Sequence, residues 1–166
     1  TLSLWYRPDP GATGLCPLIA NTAGGARLNG FRFFINTYDT TSTRLRDGSV
    51  WFETGVDSAN LSLISKPSLV SFTAPTVWYH LSVVIDRIQG TGKLYCNGAA
   101  APDSMNYGVR RDFMTAGPWT LGGFLDPWTK ISGTIDEVEI SSTTRSAGWV
   151  KLSYENQRPA SRLISI

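Results

Sequence analysis

A chain of 166 residues is long enough for one domain with a sizeable core, burying about 70% of the surface that its unfolded form exposes. Its net charge of +2 is no footprint for nucleic acid, which needs clustered basic residues, and Arg110-Arg111, the only basic doublet, reads as a solvated loop. No run approaches the ~20 apolar residues that span a bilayer, so neither nucleic acid nor membrane insertion is expected.

The chain opens inside an alternating run, "TLSLWYRP" (1–8), as expected of a piece processed or excised from a longer protein. Period-2 segments follow: "GLCPLIANT" (14–22), "GFRFFINTY" (30–38), "STRLRD" (42–47), "SVWFET" (49–54) and "LSLISK" (61–66). Further runs are "TVWYHLSVVIDRI" (76–88), "GKLYCNG" (92–98), "WTLGG" (119–123), "GTIDEVEIS" (133–141) and "SRLISI" (161–166). Turn signals such as "DPGATG", "RDGS" and "IQGTGK" separate them. The pattern predicts a single antiparallel sandwich over 1–166. One helix is expected in "STTRSAGWVKLSYENQ", capped by Ser146 and shortened to about two turns by Gly148.

The run at 133–141 places Asp136, Glu137 and Glu139 within four positions. Strict alternation puts Asp136 with Val138 and Ile140 at the lip of the core, where it must be paired, hydrogen-bonded or bound to a cation. Glu137 and Glu139 then face outward, about 6–7 Å apart, a separation that any such pair on a strand has. They read as a solvated face. His80 in "WYHLSVV" has no nucleophile motif nearby and reads as a hydrogen-bonded strand histidine. Cys16 and Cys96 fit no metal spacing; a Cys16–Cys96 disulfide stays open, with two buried thiols favoured.

Three stretches, "WYHLSVVIDRIQGTGKLYCNG", "WTLGGF" and "GTIDEVEISSTTRSAGWVKLSYENQRP", occur in an order that resembles laminin G-like modules of bacterial surface and secreted proteins, within the concanavalin A-like lectin/glucanase superfamily. The resemblance implies an all-β jelly-roll sandwich of two antiparallel sheets with one short helix near the C-terminus. It implies Trp5, Trp78 and Trp149 as core aromatics. It also offers Asp136 as a structural calcium ligand, although a hydrogen-bonded Asp without metal is preferred and no cofactor is required. Glucanases of the superfamily carry three acidic residues on one strand face; the parity of "IDEVE" departs from that, so no catalytic residue and no enzyme is expected.

A glycan site needs exposed rings with polar groups beside them. Candidates are Trp128 and Asp126 in the loop "GFLDPWTKISG", Trp51 with Glu53 on one strand face, and the row Phe34, Asn36 and Tyr38. Tyr107 and Arg110 in the long stretch after residue 97 complete the set, whereas Trp119 is expected to face inward with Leu121. The resulting expectation is a carbohydrate-binding or adhesive module of an extracellular, cell-surface protein, its partner a glycan or other surface polymer. The alternative is a structural domain that packs against copies of itself or adjoining domains. A glycoside hydrolase is the least favoured of the three.

Overall fold

The structure is a computed structural model that describes residues 1–12, 14–22, 30–38, 44–55, 61–71, 76–106, 115–124 and 129–158. Its described strands are β1 (Leu2–Pro8), β2 (Leu15–Thr22), β3 (Gly30–Tyr38), β4 (Arg44–Gly55), β5 (Leu61–Ser71), β6 (Tyr79–Asp86), β7 (Thr91–Cys96), β8 (Ala99–Asn106), β9 (Trp119–Leu121) and β10 (Gly133–Ile140). They form two antiparallel five-stranded sheets. The first runs β10-β1-β6-β7-β8 and the second β5-β4-β3-β2-β9.

Alternation decides which faces meet. Leu2, Leu4 and Tyr6 of β1, Leu81 and Val83 of β6 and Leu94 of β7 point inward from the first sheet. Phe33 and Ile35 of β3 with Val50 and Phe52 of β4 meet them from the second. The intervening residues of β1 and β6 face outward, where Trp5 and His80 stand opposite each other. That outer face is closed by α1 (Ala147–Gln157). Ser146 caps it, its Oγ accepting the N–H of Trp149 at 3.2 Å, and Val150 is buried against Val84 and Tyr95. At 11 residues the helix has about three turns, one more than Gly148 suggested, because packing outweighs the propensity cost of one glycine.

The two runs at 42–47 and 49–54 are one strand, β4. The stretch read as irregular after residue 97 contains β8, whose Ala and Pro content hides it. β8 is an edge strand, and Pro102 falls where its register with β7 slips, so the missing N–H costs no ladder bond. The segment 161–166 lies outside the described residues.

β10 departs most from its expected reading. Ser3 pairs with Glu139 but Trp5 with Asp136, so Glu137 and Val138 together oppose Leu4. This is a bulge, and Glu137 takes a left-handed φ of 49° there. One extra residue resets the alternation. Asp136 shares the outer face with Trp5, and Glu139 with Ser3, while Ile135 and Ile140 fall on the inner side with Tyr6 and Leu2. Because β10 is an edge strand, Val138 and Ile140 remain 39% and 53% exposed. Asp136 is therefore not at the lip of the core; it is exposed, and its carboxylate accepts the N–H of Glu137 at 2.9 Å.

Cys16 and Cys96 are free thiols on different sheets. Burial pushes both up, Cys96 to about 12. His80 is buried, and its ring is not hydrogen-bonded through Nδ1 as the sequence suggested. Instead it packs 5.2 Å from the ring of Trp5 and 6.1 Å from that of Tyr154, and burial pushes its pKa down to about 4.

Candidate functional site

Register places two parallel rows of side chains on the outer face of the second sheet. Phe34 of β3 stands between Pro17 of β2 and Trp51 of β4. Two residues along, Arg32 stands between Ala20 and Glu53, and Thr120 of β9 lies beyond Ala20. Phe34 and Trp51 stack with ring centres 5.9 Å apart and planes 22° apart. Cross-strand aromatic pairs of this kind hold a sheet face together; Phe34 is buried and Trp51 half-buried, so neither ring has the exposure that the sequence predicted.

Phe124 follows β9 in sequence and meets Phe34 edge-on at 5.8 Å. Its ring also lies under the Arg32 guanidinium, 4.8 Å from the ring centre. Arg32 pairs with Glu53, which is buried, so the two charges balance each other beneath the aromatic cover. Among the described residues, four polar atoms of this face are buried without a hydrogen-bond partner: Arg32 Nε, Trp51 Nε1, Thr120 Oγ1 and Glu53 Oε1, the last held only by its ion pair with Arg32. The first two can only donate.

Of the residues expected to bind ligand, Phe34, Trp51 and Glu53 come together here, with Asn36 half-buried farther along β3 on the same face. The side chain of Tyr38, and the whole of Tyr107, Arg110, Asp126 and Trp128, lie outside the described residues. Arg32, Thr120 and Phe124 were missed. Arg32 shares the parity of Phe34 and was legible from "FRFF"; Phe124 sits in a loop without period and was not.

The other tryptophans divide differently from expectation. Trp5 is buried beneath α1, its ring 5.7 Å from that of Tyr154. Trp78 is only half-buried, with the guanidinium of Arg7 5.1 Å from its ring centre, and is not a core residue. Trp149 is half-buried on α1 itself, under the guanidinium of Arg145 at 4.6 Å. Trp119 is on the inner side, edge-on to Phe31 at 5.3 Å, but β9 is an edge strand and leaves it 40% exposed.

Calcium takes 6–8 oxygen ligands. Among the described residues no three His, Cys, Asp or Glu side chains stand together, and the Asp136 carboxylate is engaged with backbone. Among the described residues, no set of side chains at Asp136 by itself supplies that number of ligands.

Two antiparallel sheets, with an aromatic, ion-paired outer face on one and a helix over the other, define a lectin-like β-sandwich. The chain belongs to the Laminin_G_3 family of the concanavalin A-like lectin/glucanases superfamily, whose model matches residues 1–151. Comparison with curated protein sequences finds no match. Among solved structures, the chain is similar to the Ruminococcus gnavus IT-sialidase CBM40 bound to α2,3-sialyllactose, at 15% identity and a TM-score of 0.70, covering 92% of this chain and 80% of that one. It is also similar to the SAP-like pentraxin of Limulus polyphemus, at 18% identity and a TM-score of 0.61, covering 90% and 67%. The receptor binding domain of botulinum neurotoxin mosaic serotype C/D matches at 16% identity and a TM-score of 0.63, covering 94% of this chain and 36% of that one. At these identities the likeness is one of fold.

Proposed function

We propose that the chain is a non-catalytic carbohydrate-binding module of a secreted or surface protein, and that the outer face of the second sheet is its binding surface. The observation that carries this reading is the set of unpaired polar atoms on an aromatic face: Arg32 Nε, Trp51 Nε1 and Thr120 Oγ1. A buried donor without an acceptor costs about 1–3 kcal/mol, and sugar hydroxyls are acceptors that stack on rings through their C–H faces. A glycan reaching these donors moves the ring of Phe124 off Arg32 and stacks on Phe34 and Trp51. The sialyllactose-bound relative of the same fold supports the substrate class.

The non-catalytic part of this reading rests on the setting of the β10 carboxylates. The parity argument against them fails, since the bulge puts Asp136 and Glu139 on one face. Exposure weighs against catalysis instead: Asp136 and Glu137 are exposed, Glu139 is half-buried, and a general acid needs a carboxyl withdrawn from water.

The test is a glycan-array screen of wild type, with and without chelator, followed by titration of Trp51→Phe and Thr120→Ala with the best hit. Wild type is expected to bind, independently of chelator. Each variant should lose about two- to thirteenfold in affinity, one hydrogen bond's worth, with its melting temperature little changed. Absence of any bound glycan, or affinity untouched in both variants, would sink the reading.

A second reading, assembly with a copy of itself or an adjoining domain, rests on the exposed apolar residues of the two edge strands. Trp119 and Leu121 of β9 are 40% and 57% exposed, and Val138 and Ile140 of β10 are 39% and 53% exposed. Sedimentation showing a concentration-dependent dimer that Leu121→Lys abolishes would favour it.

A further inference from the structure

The outer face of the first sheet carries a cleft of about 380 Å³ lined by Trp5, Trp78, Asp136, Glu137 and Gln157. It lies on the other side of the sandwich from Phe34 and Trp51, because the two sheets share only their inner faces. In a regular strand, neighbours such as Asp136 and Glu137 would point to opposite faces. The bulge at Glu137 breaks that alternation, and both residues line the one cleft.

Neither carboxylate forms an ion pair with any described Lys or Arg. The indole N–H of Trp5 donates to Gln157 Oε1 at 2.6 Å, and this largely buried ring lines the cleft at its edge beside Gln157. Trp78 already holds one cation, the Arg7 guanidinium, over its ring. That guanidinium reaches Thr134 Oγ1 at 3.4 Å rather than either acid, so neither acid has a cationic partner among the described residues.

Two indoles and two carboxylates around a small cleft repel anions and attract a cation that carries apolar surface. We propose that this cleft binds an alkylammonium group, with Asp136 and Glu137 matching its charge and Trp5 and Trp78 covering its alkyl surface. The volume falls in the range of small-ligand pockets. Two sources share this chemistry: a quaternary ammonium head group, and the primary ammonium of a lysine side chain.

Indole N–H resonances in ¹H–¹⁵N spectra separate the outcomes. The protein is titrated with choline, with Nα-acetyl-lysine amide, and with 3,3-dimethyl-1-butanol, the neutral isostere of choline. A saturable shift of the Trp5 and Trp78 signals by a cation, with the Trp51 signal still, is the expected result, and the tighter of the two cations names the source. The double variant Asp136→Asn, Glu137→Gln should weaken binding by about tenfold or more, as should raised salt. Glu137→Gly, which keeps the left-handed backbone and removes one carboxylate, should weaken it too and stands in if the double variant does not fold. No saturable shift with either cation, an equal shift with the butanol, or unchanged affinity in the variants would each overturn the proposal. So would a stronger response to lactose, which would make the cleft a sugar site.

Discussion

Glu137 holds a backbone conformation that costs an L-residue about 1–2 kcal/mol and that glycine adopts freely. Glu137→Gly should therefore raise stability by as much as about 1 kcal/mol in a urea melt, despite deleting a side chain. Its neighbour behaves differently from what strict alternation implies. Asp136 is exposed, and its carboxylate accepts the N–H beside it. Asp136→Ala should stay within about 0.5 kcal/mol of wild type, as surface substitutions do. A loss of 1–3 kcal/mol would instead reveal a buried partner. Neither behaviour was legible in "GTIDEVEI". A bulge is fixed by the register against β1, which is non-local, and nothing in a Glu at its first position announces a left-handed φ. Where local and tertiary requirements coincide, as at Ser146 and its capped N–H, the sequence reading held.

Among the elements, α1 depends on the hairpin between β7 and β8. Asn97 and Gly98 form its turn, both with positive φ, and the Oδ1 of Asn97 accepts the N–H of His80 at 2.9 Å. A Cβ on Gly98 would stand 3.1 Å from Cδ1 of Tyr154 and 3.2 Å from Cα of Lys151, so the turn is the seat on which the helix rests. Gly98→Ala pays both a strained φ of +75° and this contact, and should cost about 1–3 kcal/mol with a loss of near-ultraviolet circular dichroism from Trp5 and Trp149. Wild-type stability in that variant would mean that the helix can slide without penalty. Strands with strong inward residues, such as β1 and β6, were readable from period alone. β8 was not, because an edge strand needs few apolar residues and tolerates proline. The binding face was half legible: parity finds Phe34, Trp51, Glu53 and Arg32, whereas Phe124 reaches it from a loop that no periodicity describes.

At the scale of the whole molecule, the seam between helix and sheet is sensitive to acid through His80. Its folded pKa, about 4, lies below the ordinary value of 6.5, so the folded state prefers the neutral ring. The stability it supports is complete above pH 6.5 and is lost as pH falls towards 4, where the unfolded chain takes up a proton that the fold refuses. The loss is at most about 3 kcal/mol. Melting temperatures of wild type and His80→Gln at pH 7 and pH 4.5 check this: wild type should fall further than the variant. Equal falls would assign the acid sensitivity to carboxylates.

The two outer faces of the sandwich look in opposite directions across a core about 10 Å thick. Whatever surface lies against Phe34 and Trp51, α1 is turned away from it, and no flat object can touch both sides of the domain. Contacts on the two sides therefore cannot add as avidity on a single surface. They can join two separate bodies, and the tightly packed core between them makes the domain a stiff spacer. Because neither face contributes a side chain to the other, occupation of one should leave the affinity of the other unaltered, a coupling free energy near zero. Geometrically, the fold is a coupling piece with two independent sides.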